Sequence, residues 1–365
     1  MNILYILLAI LLLGIMVIVH EAGHFFASRL TGIPVKGFGI GFGPKLFRKV
    51  SKKTGTEFVL RLIPAGGYCS YYGEDDPKAD HTDPRSYRNQ KAWKRFIAVL
   101  MGPVMNFVLA YIVCVIFMLC LGSVTRIHPE LPMRITTVTE GGAAQIAGLQ
   151  AGDQITTVNG KSAAGIMENG NYVLSQLIAE EKEKGGSIIL GVIRDKQDLT
   201  IEVVPESVPQ EDGTRRMMVG IEYGPSFERI TFDHPGILLT ESWNYMIEAG
   251  SSILKGFATL FSSWNNLSTM GSGPVGIVST VAEQTRIYGI EAYIQLLILI
   301  SVNLGLVNLM PIPGLDGSRA IFLLIEMIFK KPVNPKVEAW IHLIGFVFLF
   351  GLILFFTMND IIRLF

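Results

Sequence analysis

Four stretches of the chain are apolar almost without interruption, and between them the pattern changes period. They run from Ile3 to Leu30, Phe96 to Leu121, Tyr293 to Met310 and Ile341 to Phe356, and a helix needs roughly 20 mainly apolar residues to cross a bilayer. The first lacks a basic leading region and a small-residue cleavage site, so it reads as a span and not as a signal peptide. After it, "VKGFGIGFGPKLF" and "TEFVLRLIPAGGY" predict Gly-rich alternating strands joined by a basic turn at Lys52 and Lys53. Beyond the second span, "MRITTV" and "DQITTVNG" alternate around Gly and Asn-Gly turns. A helix is expected at about Asn171 to Glu183, then strands "SIILGVIRD" and "LTIEVVP". From Phe232 to Gln284, apolar residues at three- and four-residue spacing, with Trp243, Tyr245 and Trp264, predict one or two amphipathic helices at the membrane surface, and a packed helix under the preceding soluble module fits almost as well.

Basic residues orient this arrangement. Thirteen Lys and Arg lie between Thr31 and Arg95, and Lys330, Lys331 and Lys336 precede the last span. Both connections therefore read as cytoplasmic, which puts both termini and the long segment from Gly122 to Ile290 outside. Composition agrees with a membrane protein: half of the 365 residues are hydrophobic, 17% are charged, and mean hydropathy is +0.42. With zero formal net charge and no basic stripe interleaved with aromatics, nucleic acid is excluded as an expected partner. Cys69 is isolated, and Cys114 and Cys120 lie about 240° apart on a helix, so neither a disulfide framework nor a metal-binding cysteine pair is expected.

The first charged residue appears in "MVIVHEAGHFFASRL", at the inner end of the first span. On a helix His20 and His24 project about 40° apart and reach one ion, while Glu21 sits about 100° round, able to act on a ligand of that ion. This is the H-E-x-x-H arrangement for zinc. Ionisable groups inside a membrane helix cost about 2.5 to 3.5 kcal/mol on insertion scales, so they usually serve a site. A catalytic zinc needs a third protein ligand. His342 and Glu326 are candidates. Asp316 in "NLMPIPGLDGSRA" is a better one, because Pro311, Pro313, Gly314 and Gly317 break the helix and irregular backbone at membrane depth must line protein or a cavity. Ile3 to His20 spans roughly 25 Å of helix and Tyr293 to Asn308 roughly 22 Å, so both motifs reach similar depth.

The ordered set "HEAGH", "MGPVMNF", "GSGPVGI" and "NLMPIPGLDG" resembles the site-2 protease family of intramembrane zinc metalloproteases. The stretch around "GLQAGDQI" resembles a PDZ domain of bacterial type, in which a peptide is held beside a strand and helix. The resemblance implies a polytopic α-helical membrane protein with four transmembrane helices. It adds a membrane-dipping β-sheet after the first helix and one extracytoplasmic PDZ domain between the second and third. It implies Zn2+ held by His20, His24 and Asp316, with Glu21 as catalytic acid/base. A G-x-x-x-N motif maps onto Gly102 and Asn106, and Asn308 precedes the proline turn: Asn308 is expected to meet substrate, while for Asn106 substrate contact and clamping two helices stand evenly. The implied location is the inner membrane of a bacterium. The implied partners are single-pass membrane proteins, of the anti-sigma factor or remnant signal peptide type, cut after another protease has trimmed them, together with the lipid bilayer and a PDZ peptide ligand.

Four parts are expected: 1–122 as the first membrane half, 123–210 as the PDZ domain, 211–287 as a juxtamembrane region, and 288–365 as the second membrane half. Two rivals stand beside the protease reading. One is a PDZ adaptor whose metal is structural. The other is a different H-E-x-x-H protease that takes a downstream Glu as third ligand.

Overall fold

A computed structural model describes residues 2–74, 83–127, 131–165, 172–184, 186–209, 215–262 and 272–364. The chain divides into two compact units: Met1–Cys120 with Asp233–Phe365, and Leu121–Phe232.

The first unit is built on four helices long and apolar enough to cross a membrane. They are α1 (Ile3–Thr31), α2 (Ala92–Leu121), α6 (Pro274–Leu309) and α8 (Pro335–Leu364), with α5 (Pro235–Ser262) and α7 (Asp316–Phe329) between them. Ala9, Leu12 and Met16 of α1 meet Val281 and Ala282 of α6, packed by Leu296, Leu297 and Ile300. Both arms of α6 therefore lie against α1. They are separated by Gly289 at φ 73° and ψ −154°, a conformation that a Cβ would strain. The expected third span at Tyr293 is thus only the second arm of a longer, broken helix.

The expected juxtamembrane region 211–287 contains α5, which packs on the spans by one face: Ser242 is fully buried, the Cys114 thiol donates to its carbonyl at 3.7 Å, and Tyr111 donates to the Leu239 carbonyl at 3.2 Å. The first arm of α6 is tied to α8 by Asp360, whose Oδ2 accepts the Gly276 N–H at 2.7 Å. A Cβ on Gly273 would stand 2.8 Å from that carboxylate and one on Gly276 2.6 Å, which accounts for these two glycines of "GSGPVGI". Trp264 and Gly271 lie outside the described residues.

Two long strands, β1 (Val35–Val50) and β2 (Glu57–Tyr71), pair antiparallel after α1. Their register makes four segments: Lys45–Val50 on Glu57–Arg61, Glu57–Leu60 on Gly37–Ile40, and Gly37–Ile40 on Gly67–Ser70. Gly67–Tyr71 is therefore an outer segment, and β2 lies against α1. Leu46 and Phe47 on the opposite edge segment, and Phe42, Leu62 and Ile63 toward the ends of the two middle ones, are exposed.

In the second unit β4 (Met133–Val138), β5 (Gln154–Val158), β7 (Ile188–Arg194), β8 (Gln197–Val203) and β11 (Ile221–Gly224) form a sheet in the order β11-β4-β5-β7-β8, with β6 (Lys161–Ser162) on β5. Ile135, Ile155, Leu190 and Val203 bury its inner face against Leu174 and Ile178 of α4 (Val173–Lys184). A short α3 (Ala143–Ile146) and the hairpin β9 (Glu206–Pro209) and β10 (Arg215–Met218) complete it. The strands and helix expected of a PDZ module are present. The unit nevertheless continues past the expected boundary at 210, because β11 supplies the edge of the sheet and β12 (Phe227–Thr231) pairs with β3 (Ser123–Ile127) beside the chain's entry.

Candidate metal centre

His20 and His24 project from one face of α1, and Asp316 begins α7 after the proline bend. The three side chains offer ligand atoms that all lie within 4.8 Å of one another, the one such cluster of His, Cys, Asp and Glu among the described residues. Asp316 Oδ2 stands 3.1 Å from His20 Nε2 and 3.4 Å from His24 Nε2, and the two Nε2 atoms are 3.2 Å apart. Bonds of about 2.0 to 2.1 Å at tetrahedral angles require ligand atoms roughly 3.3 Å apart. The triangle fits a zinc ion bound by three protein ligands.

The surroundings fix which nitrogen each ring offers. His24 Nδ1 donates to the Ala98 carbonyl of α2 at 2.8 Å, which leaves Nε2 with its lone pair toward Asp316. Asn106 is fully buried, and its side-chain amide lies 3.1 Å from His20 Nδ1. With the amide nitrogen on that side, Oδ1 is buried without a partner. Turned over, the amide oxygen accepts from His20 Nδ1–H and His20 Nε2 also becomes a ligand. Asn106 therefore sits behind a histidine and joins α2 to α1, as the helix-clamping role and not the substrate-contact role would have it. Asn308 is half-buried at the end of α6 and makes no side-chain hydrogen bond to the described residues.

Glu21 turns to the same cluster, within electrostatic reach of His20, His24 and Asp316, and accepts from the Cys69 backbone. A Cβ on Gly67 would stand 2.8 Å from Glu21 Cγ, so glycine lets β2 pass against the carboxylate. Across the site, a Cβ on Gly102 would press on Cε1 and Nε2 of His24 and stand 3.0 Å from His20 Nε2. The glycine of the G-x-x-x-N motif thus admits both imidazoles against α2. Burial pushes the Cys69 thiol up to about 12 and raises the Tyr71 phenol, so both are neutral beside the site.

The other two candidate ligands are engaged elsewhere. Glu326 pairs with Arg95 of α2. His342 accepts the Gly314 N–H on Nδ1 at 3.2 Å, and so holds the proline bend that delivers Asp316. Gly317 is required in that bend because a Cβ would run into the carbonyls of Leu309 and Met310. The contacts of Ala98, Gly67 and His342 had no signal in the sequence. Gly102 had one, as the glycine of the G-x-x-x-N motif, but its neighbours were not readable.

The chain matches peptidase family M50 over residues 8–352. Among curated relatives, the regulator of sigma-W protease RasP of Bacillus subtilis is 30% identical over 436 aligned residues, covering 98% of each chain. The zinc metalloprotease RasP of Bacillus licheniformis is 31% identical with the same coverage. A solved PDZ domain of an SdrC-like protein from Listeria monocytogenes, 16% identical, aligns with 27% of this chain and 92% of that one at a TM-score of 0.20. Since the match runs through all four apolar helices and both motifs that meet at the triangle, this chain belongs to peptidase family M50, the site-2 proteases, and is a multi-pass membrane zinc metalloprotease.

Proposed function

We propose that the protein cleaves single-pass membrane proteins within the bilayer, as the second cut after another protease has removed the outer domain. The observation that carries this reading is the triangle of His20, His24 and Asp316, closed at 3.1 to 3.4 Å inside a bundle of apolar helices. His20, His24 and Asp316 hold the zinc, and Asn106 and Ala98 orient the two imidazoles. When bound, zinc supplies Lewis acidity, polarising the scissile carbonyl and acidifying a water toward a pKa of about 7. Glu21 takes a proton from the attacking water and returns it to the leaving amine. Gly67–Tyr71, an outer strand segment beside Glu21, receives the substrate as an added strand, which exposes peptide bonds that a helix would shield. Asn308, with its amide uncommitted, bonds the substrate backbone.

The relative named a regulator of sigma-W protease supports an anti-sigma factor as one kind of substrate. The basic segments 31–95 and 330–336 support a site toward the cytoplasm of a bacterial inner membrane, with both termini and the PDZ unit outside. In that unit the Tyr223 hydroxyl of edge strand β11 donates to Ser175 Oγ of α4 at 3.0 Å. This bond links the strand and the helix between which a PDZ peptide would lie, and the unit is read as a filter that rejects untrimmed substrates.

Purified protein in detergent, incubated with trimmed single-span substrates, tests the proposal. Wild type is expected to cleave, and Glu21→Gln to retain zinc and lose cleavage. Zinc bound with cleavage of no trimmed substrate would favour a membrane-anchored adaptor.

A further inference from the structure

Gly66 and Gly67 leave the start of the outer β2 segment without side chains to set its position, and Gly-rich strands slip easily. One tie to α1 is the Cys69 backbone bond to Glu21, and a side-chain lock against sliding lies at the other end of the segment. Tyr71 is 8% exposed, and its hydroxyl meets Ser28 Oγ of α1 at 2.8 Å. Ser28, fully buried one turn beyond His24, donates its own hydrogen to the His24 carbonyl at 2.7 Å. Tyr71 must therefore be the donor in the pair.

The ring of Tyr71 is held as firmly as its hydroxyl. It stacks on Tyr87 with centroids 4.7 Å apart and planes at 18°, and the Tyr87 N–H donates to the Tyr72 carbonyl at 2.8 Å. Arg95 lies over the ring of Tyr87, 5.8 Å from its centroid, and pairs with Glu326 of α7, the helix that begins with Asp316. One tyrosine thus joins the strand beside Glu21 to the histidine helix through its hydroxyl and to the aspartate helix through its ring.

We propose that Tyr71, acting through Ser28, sets the register of the outer β2 segment against the metal site and so selects which peptide bond of the substrate is cut. The proposal rests on the reading that substrate adds to β2 as a strand. Hydrogen bonding along a strand repeats every two residues, so each slip of an added strand offers a bond two positions away. Tyr71 is a positioning residue and touches no reacting atom.

The test uses the full chain in detergent with a single-span substrate, product termini being read by mass spectrometry. Tyr71→Phe keeps the stacked ring and Ser28→Ala keeps the helix, and zinc content and thermal midpoint are measured for both. With zinc retained, each is expected to raise products displaced by two residues about fivefold relative to the main product, the weight of one hydrogen bond. The double variant should match the singles. Slower cleavage at an unchanged bond, with an unchanged product ratio, would overturn the proposal and leave Tyr71 a packing residue. A second substrate set, N-methylated at alternate peptide nitrogens, separates the two levels. If no N-methyl group impairs cleavage by wild type, strand addition itself fails and the register proposal falls with it. If N-methylation blocks cleavage while the variants keep the wild-type ratio, only the register proposal fails.

Discussion

Replacing Gly102 by alanine should cost the protein its zinc. The added Cβ would fall inside the contact radius of His24 Cε1 and Nε2 and stand 3.0 Å from His20 Nε2. Ordinary carbon contacts lie at about 3.5 to 4.0 Å, so something must retreat by more than about 1 Å. The His24 ring cannot swing away cheaply, because Nδ1 is bonded to the Ala98 carbonyl at 2.8 Å. Moving α2 away from α1 stretches that same bond, and it also opens the contact of Gly23 with the Met101 carbonyl that lets the helices touch. Metal–ligand distances tolerate only about ±0.2 Å, so either response removes His24 as an effective ligand. Loss of an orienting neighbour alone typically costs 10- to 100-fold in metal affinity, and displacing a ligand should cost at least about 100-fold. That is about 2.8 kcal/mol at 1.4 kcal/mol per decade. Zinc per chain is measured by mass spectrometry after dialysis against a graded chelator. Gly256→Ala in α5, where a Cβ meets open space, serves as control and should bind zinc as wild type does. A Gly102→Ala protein with stoichiometric zinc and unaltered chelator competition would refute the reasoning.

Other outcomes follow from the same contacts. Asn106→Ala should lower zinc affinity about 10- to 100-fold by freeing the His20 ring, whereas Asn106→Leu cleaving normally with full zinc would show that the amide is not needed there. His342→Ala should loosen the bend at Gly314 and reduce cleavage more than it reduces thermal stability, measured on the same preparation. In the Leu121–Phe232 unit, burial raises the Asp153 carboxyl, but the Arg194 guanidinium and the Gln150 N–H outweigh it and hold it below its ordinary value. Its stabilisation is therefore complete above about pH 4 and is lost as pH falls through the depressed folded value. Asp153→Ala should destabilise the unit by about 1 to 3 kcal/mol at neutral pH, read as faster proteolysis of residues 121–232 in the intact chain, with the gap to wild type closing below pH 4.

What was readable in advance was whatever a single helix or strand decides for itself. Length and apolarity marked four spans, and the spacing of His20, Glu21 and His24 put two imidazoles and a carboxylate on neighbouring faces, because helical geometry is local. The proline and glycines around Asp316 announced a bend for the same reason. Choosing among Asp316, Glu326 and His342 was a different matter. All three sit on segments far from His20 in the chain, and only packing shows that Glu326 is taken by Arg95 and His342 by Gly314. The role of Asn106 was decided by packing too, since an amide on a helix face carries no mark of whether a substrate or a histidine lies opposite. Likewise, the period of the helices between Asp233 and Tyr288 fitted a membrane surface or a packed face, and the structure shows that they pack on the spans. Hydrophobic period reports that a face is buried and never against what, so the partners of Gly67, Gly102 and Tyr71 were decided by the tertiary structure alone.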